Sequence, residues 1–316
     1  MIQDFLDYFQ LHGKQFKVEN DTFFTEADHF PIINGIPRFI PDISYAGNFA
    51  LQWETFSKLQ LDSQNKTTDK YDTILTRTQW PPQFFKGKTV LECGCGAGSD
   101  TEILLSLGCK VVAVDLAASD VAKKNVNDNP NVQFVQASIT DLPLKKKSFD
   151  IVYCHRVLQH TPDPEKPLAH ILQFVKDDGS VFVHSYANTF FQRFRWKYFL
   201  LPITRRLRPE TLYNIIRRCS KPLWHFTNLT NKTKIGRAFN WFFVPFANYR
   251  HLPQYNNMSD EDMLEYAILV TFDALGPKHD HPIELSAMRK IASALLNRPF
   301  EIIEDRTIML LRTKLV

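Results

Sequence analysis

The sequence predicts an α/β fold: a parallel sheet with helices on both faces. Two observations carry this. From Lys88 to about Tyr186, short apolar runs alternate with stretches of helical spacing, the grammar of βαβ units. The runs TVLEC, KVVAVD, VQFVQA, FDIVYC and SVFVHSY are strand-like, and their largely apolar character fits a sheet buried on both sides.

In chain order, residues 1–45 read as an N-terminal arm. Its segment FPIINGIPRFIP sets Pro31, Gly35, Pro37 and Pro41 among short apolar pairs, which is strand and turn chemistry rather than helix. Residues 46–86 read as a helical lead-in with polar linkers, ending at Pro81 and Pro82. Residues 87–186 hold the five strands, with helices expected at 100–107, 119–127 and 165–175. Residues 187–260 break the rhythm and read as an insertion. Residues 261–316 return to it: a helix at 284–296 precedes FEIIED and TIMLLRTKL, close enough in sequence to pair antiparallel at a sheet edge. Residues 87–186 and 261–316 therefore read as one interrupted domain.

A chain of 316 residues has room for two domains, or for one domain with a large insertion. Its net charge of +4 names no partner by itself. The five cysteines, Cys93, Cys95, Cys109, Cys154 and Cys219, show no paired spacing, which points to a reducing, cytoplasmic setting and against a disulfide framework or zinc cluster. MIQDFLDYFQ lacks the pattern of a secretory signal, and no apolar run is long enough to span a membrane.

In LECGCGAGSD, Gly94, Gly96 and Gly98 directly follow the first strand. A strand passing through such a turn into a helix lets backbone approach a ligand closely, but GxGxG alone is a weak signal. Glu92 sharpens it. A helix N-terminus favours anions, and a carboxylate just ahead of the turn would repel the pyrophosphate of a dinucleotide. S-adenosylmethionine has no phosphate and carries an ammonium and a sulfonium, which an acid attracts; the other reading of Glu92 is a surface acid at a strand end. Asp115 ends the second strand, where an acid can accept hydrogen bonds from both ribose hydroxyls, an arrangement that would suit NAD equally. Leu116 beside it is placed to cover one face of adenine.

ECGCGAG, VDL, DLPL, SFDIVY, VLQHTPDP and KDDG occur in an order and spacing that resembles the class I S-adenosylmethionine-dependent methyltransferases over roughly residues 86–186. The resemblance implies a Rossmann-like seven-stranded sheet, S-adenosylmethionine as methyl donor and S-adenosylhomocysteine as product. It places Ser138 and Ile139 at the adenine. Ser138 stands where such proteins usually carry Asp, and a neutral hydrogen bond is roughly half as strong as a charge-assisted one. QWETFSKLQLDS and FDALGPKHDHP look like a subgroup often encountered near surface-polysaccharide genes. FPIINGIPRFIP resembles the tail of a zinc-ribbon-like segment, but no cysteine precedes Cys93, so any zinc there is lost.

Methyl transfer from a sulfonium needs in-line positioning first, and a general base only where the acceptor is a hydroxyl or a protonated amine. His155, after the fourth strand, is the first candidate for base or acceptor positioning; its alternative role is backbone contact near the cofactor. His160 reads as a structural or substrate-orienting residue. His184 could be packed between sheet and helix, and Tyr186, ending the fifth strand, is better placed to reach an acceptor. Asp273, His279, Asp280 and His281 mimic a metal cluster but read as a substrate-contacting loop, with no metal.

From Arg193 to Arg237 the insertion carries twelve Arg and Lys side chains, Arg205 and Arg206 among them, against the single acid Glu210, with aromatics interleaved. Its position after the fifth strand makes it a helical lid over the acceptor side. The charge run has several readings: Arg contacts to an anionic small molecule or lipid-linked glycan, contact with an anionic membrane surface, RNA binding, or a solvated helical face over an aromatic core. The function expected is methyl transfer to an oxygen or nitrogen of a small-molecule, saccharide or lipid-linked acceptor. The alternatives are an RNA methyltransferase and a non-catalytic cofactor-binding partner. Replacing Ser138 by Asp is expected to tighten S-adenosylhomocysteine binding in calorimetry; unchanged or weaker binding would remove Ser138 from the adenine site.

Overall fold

Every residue of Thr89–Cys93 (β1) is buried, because the strand lies inside a seven-stranded sheet. In the computed structural model, which describes residues 2–40, 51–53, 55–57, 59–127 and 129–315, β1 is joined by Lys110–Asp115 (β2), Val132–Gln136 (β3), Phe149–His155 (β4), Val175–Tyr186 (β5), Phe300–Glu304 (β6) and Ile308–Thr313 (β7). The strand order is 6-7-5-4-1-2-3. The first five strands are parallel, and β7 pairs antiparallel with both β5 and β6. Connections leave β1 in opposite directions, toward β2 and β4, and ligands of open α/β sheets bind beyond the strand ends at such a switch point. The fifth strand begins at Val175 rather than Ser180, and the pairing absorbs this in a register shift between Phe149 and Ile151.

The helices that matter for the site are Asp69–Thr78 (α1), Ser99–Ser106 (α2), Ser119–Val126 (α3), Glu165–Ile171 (α4), Trp196–Thr204 (α5), Pro209–Thr230 (α6), Lys234–Phe243 (α7), Asp260–Leu275 (α8) and Leu285–Leu295 (α9). Alternation along the strands divides the sheet into two apolar faces. Val90, Val111, Ala113 and Tyr153 meet α1, α2 and α3 through Ile74, Leu104 and Ala122. Leu91, Val112, Val114 and Val152 meet α4 and α9 through Leu168, Ile171, Met288 and Ala292.

The N-terminal arm joins that second face. Lys17–Glu19, Thr22–Phe24, His29–Ile33 and Ile36–Pro37 form a small antiparallel sheet. Its rings cluster, with Phe9 and Phe23 centroids 4.8 Å apart and Phe30 and Phe39 also 4.8 Å apart. Phe39 N–H donates to the Gln136 carbonyl at 2.9 Å, and the Arg38 guanidinium forks onto Asp120 at 2.7 and 2.8 Å. The arm thereby covers the open edge of β3, which an exposed strand would otherwise offer to another chain. The arm boundary expected at residue 45 lies outside the described residues.

Helices α5 and α6 bury Trp196, Leu212, Ile216 and Trp224 against Met263, Leu269 and Phe272 of α8. A nearly inaccessible ion pair, Lys197 with Asp280, fastens α5 to the loop after α8. Among the described residues no helix is long and apolar enough to cross a membrane.

Phe9 is wholly buried among these rings. Phe9→Ala is expected to cost about 3–5 kcal/mol in chemical denaturation; a main transition that does not move would show that the arm unfolds independently of the sheet.

Candidate functional site

The turn after β1 is held by sterics and hydrogen bonds before any ligand is considered. Gly94 has φ 81°, and a Cβ there would lie 2.3 Å from Val157 Cγ2, so both backbone conformation and space require glycine. Gly98 starts α2 at φ 87°. Between them Gly96 N–H donates to Asp115 Oδ2 at 3.0 Å, while Asp115 Oδ1 accepts from Ala117 and Ala118 N–H, each at 2.9 Å. The second strand therefore fixes the first turn, and Asp115 Oδ2 keeps a lone pair for a ribose hydroxyl.

Glu92 is buried, and Thr101 Oγ1 donates to its Oε2 at 2.6 Å. Burial, and next the Asp100 charge, push its carboxyl up to about 8. The neighbouring Asp100 behaves oppositely. Although burial opposes ionisation, His155, the Lys70 ammonium and the Tyr153 hydroxyl hold its carboxyl below the ordinary range. Tyr153 Oη donates to Asp100 Oδ2 at 3.0 Å, and His155 Nδ1 lies 2.5 Å from the same oxygen.

His155 Nε2 is 2.7 Å from Arg77 Nη1. Because guanidinium only donates, Nε2 must accept, which puts the ring proton on Nδ1 facing Asp100. Burial drives the imidazole down to about 4. His155 is thus a neutral ring with both nitrogens occupied, and in this arrangement it has no lone pair for an acceptor proton. His184 packs at 5.0 Å from it, edge to face. Its own ring is buried, and neither nitrogen has a hydrogen-bond partner among the described residues.

Glu92, Gly94, Gly96, Asp115, Leu116, Ser138, Ile139, His155, His160 and Asp273 all line one cleft of about 1150 Å³, its open mouth included. Gly98, Tyr186, Arg205, Arg206 and His279 do not line it. Tyr186 stands just behind, its ring 6.1 Å from that of His160 and 4.4 Å from Lys197 Nζ. Arg205 and Arg206 are exposed after α5. Asp280 is committed to Lys197 and Tyr198. Gln52 Nε2 donates to Asp273 Oδ1 at 3.2 Å.

Four further lining residues had no site role assigned from the sequence: Gln52 and Trp53, within QWETFSKLQLDS, Asp100, at the end of LECGCGAGSD, and Lys70. Trp53 comes from the QWETF segment, and its ring would lie 3.0 Å from a Cβ at Gly96. Lys70 makes no ion pair among the described residues, and burial followed by Arg156 lowers its ammonium from the ordinary value. Arg156 also lines the cleft without an ion pair among the described residues, in a left-handed conformation at φ 63°.

Residues 91–183 match the family described as methyltransferase domain. They form a class I S-adenosylmethionine-dependent methyltransferase domain, whose cofactor is S-adenosylmethionine. A ubiquinone biosynthesis O-methyltransferase of Coxiella burnetii is 35% identical over 100 residues, covering 31% of this chain and 43% of that protein. The mitochondrial ubiquinone biosynthesis O-methyltransferase of Schizosaccharomyces pombe is 31% identical over 147 residues, covering 45% and 52%. The chain thus spans about half the length of the curated relatives it matches. A solved S-adenosyl-L-methionine-dependent methyltransferase structure from Methanococcus maripaludis covers 89% of this chain and 97% of its own at 15% identity and a TM-score of 0.42.

Glu92 and Asp115, expected from the sequence to meet the ammonium and the ribose of the cofactor, both line the cleft. A cation beside Glu92 stabilises its ionised form, so cofactor binding below the free-state value must expel a proton. S-adenosylhomocysteine affinity is expected to fall by up to about tenfold per pH unit below about 8, and Glu92→Gln should flatten that dependence. Calorimetry in buffers of different ionisation enthalpy reads the proton directly; no proton release near neutral pH would place Glu92 away from the ammonium.

Proposed function

We propose that the protein transfers a methyl group from S-adenosylmethionine to an oxygen or nitrogen of a small-molecule, saccharide or lipid-linked acceptor, in a reducing cytoplasmic setting. The observation that carries this is that a single cleft is lined by two kinds of side chain. Glu92, Asp115, Ser138 and Ile139 are suited to an ammonium, a ribose and an adenine. Lys70, Arg156, His160, Asp273 and Gln52 are polar side chains of both charge signs, suited to an acceptor. The relatives named O-methyltransferases favour oxygen as the accepting atom.

The bound cofactor supplies an electrophilic methyl group, and its sulfur leaves neutral. What remains for the protein is to hold the acceptor atom in line and receive its proton. With His155 occupied on both nitrogens, Asp273 is the cleft-lining side chain to which this role falls. Asp273 Oδ1 is oriented by Gln52, and Oδ2 makes no hydrogen bond among the described residues, so Asp273 is assigned as hydrogen-bond acceptor and base for the incoming hydroxyl or amine. Lys70 and Arg156 favour an acceptor that is anionic or becomes so on losing that proton. Tyr186, held above its ordinary value by burial and by Asp273, supports the wall as a neutral phenol.

Methyl-labelled S-adenosylmethionine incubated with cell extract should label the small-molecule or lipid-glycan fraction, and Asp273→Asn should lower that rate by about 100-fold or more while leaving S-adenosylhomocysteine affinity within a factor of about two. Label in RNA would replace the acceptor assignment, and an unaltered rate in the variant would remove Asp273 from proton transfer.

A further inference from the structure

Helix α7 is built inside out. Its one buried residue is Asn240, whose side chain is tied to Thr230 Oγ1 at 2.7 Å and Asn231 Oδ1 at 2.8 Å. Ile235, Phe239 and Phe243, spaced to share one face of the helix, are 84%, 47% and 69% exposed. A helix at a water-facing surface shows the reverse arrangement.

The feature extends beyond one helix. Among the described residues, eleven of the fourteen exposed large apolar side chains fall between Phe190 and Phe243, so among them the exposure is concentrated in this insertion. On α6, Leu212, Ile216 and Trp224 turn inward while Ile215, Phe226 and Leu229 face out. Apolar patches of this kind on a protein surface mark a contact with something else.

Charge identifies that something. Arg218, Lys221, Lys232 and Lys234 are exposed among these side chains and make no ion pair among the described residues. With Glu210 the single acid from residue 187 to 259, a second copy of this surface would be repelled, whereas an anionic one would be held. The exposed apolar side chains are Phe, Ile and Leu, while Trp196 and Trp224 are buried and Trp241 lies under the Arg195 guanidinium at 4.0 Å. Phe rings serve base stacking and lipid insertion alike, but Ile203, Ile215, Leu229 and Ile235 share the exposed set, and these aliphatic side chains give a nucleic-acid base nothing to stack on while they dissolve in lipid chains. No described helix crosses a membrane, so the contact is one along the surface.

We infer that α6 and α7 form a membrane-docking surface for anionic bilayers, with Ile235, Phe239 and Phe243 entering the lipid chains and Lys232 and Lys234 among the headgroup phosphates. The inference does not depend on methyl transfer, because docking is measured without acceptor or turnover. If the proposed activity also holds, the same surface gives the cleft access to acceptors carried on lipid.

The test is co-sedimentation of the full chain with vesicles of phosphatidylcholine containing about one third phosphatidylglycerol, against phosphatidylcholine alone. Binding should be at least about tenfold stronger to the anionic vesicles and should drop by about tenfold or more in the Ile235→Ser/Phe239→Ser/Phe243→Ser variant and in Lys232→Glu/Lys234→Glu. None of these side chains is buried, and unchanged S-adenosylhomocysteine binding confirms that each variant is folded. Equal binding to neutral vesicles, or full binding by the triple serine variant, overturns the inference. So does retention on single-stranded RNA without vesicle binding, which would assign the basic side chains to phosphates of nucleic acid.

Discussion

Two neighbouring buried carboxyls at the head of the cleft share one negative charge, and much of the site follows from which of them holds it. Asp100 keeps the charge because Tyr153 and His155 donate to it and Lys70 stands nearby. Glu92, with one hydroxyl partner and the Asp100 charge beside it, is left protonated near neutral pH. The cost of ionising it is removed only when a cation arrives. A dinucleotide would bring a pyrophosphate to this place and offer no such relief. The same economy fixes His155, since the ring that stabilises Asp100 is held from the other side by Arg77 and thereby loses its freedom to act as a base.

The strands and the turn were legible because their determinants are local. A buried parallel strand announces itself by an apolar run, Gly94 by a backbone conformation and a clash with Val157 that no other residue avoids, and Asp115 by its place at a strand end. The Asp100–His155–Arg77 chain was not legible. Its members come from α2, β4 and α1, and nothing at any one of them foretells the others. His155 drew attention as a histidine after the fourth strand, but its chemistry is decided by partners brought in from elsewhere. Lys70 was silent for the same reason: a lysine in an amphipathic helix reads as solvated until the fold buries it.

The insertion shows a different limit. Its interleaved aromatics and bases were plain, yet composition cannot say which rings turn inward. Trp196 and Trp224 joined the core with α8, whereas Phe239 and Phe243 did not. Helix spacing puts Ile235, Phe239 and Phe243 on one face; the fold alone shows that this face is the outer one, because Asn240 holds the helix by its polar side. The buried Lys197–Asp280 pair then links the insertion to the loop that follows α8, the helix that brings Asp273 to the cleft. The cleft and the outer apolar surface are thus joined through α8.

Glu92, at the head of the turn, should select a cationic cofactor over a pyrophosphate. Titrating the protein in a calorimeter with S-adenosylhomocysteine and, separately, with NAD tests it most directly. Saturable binding of S-adenosylhomocysteine and none of NAD is the expected result. Saturable NAD binding with no heat from S-adenosylhomocysteine would contradict it.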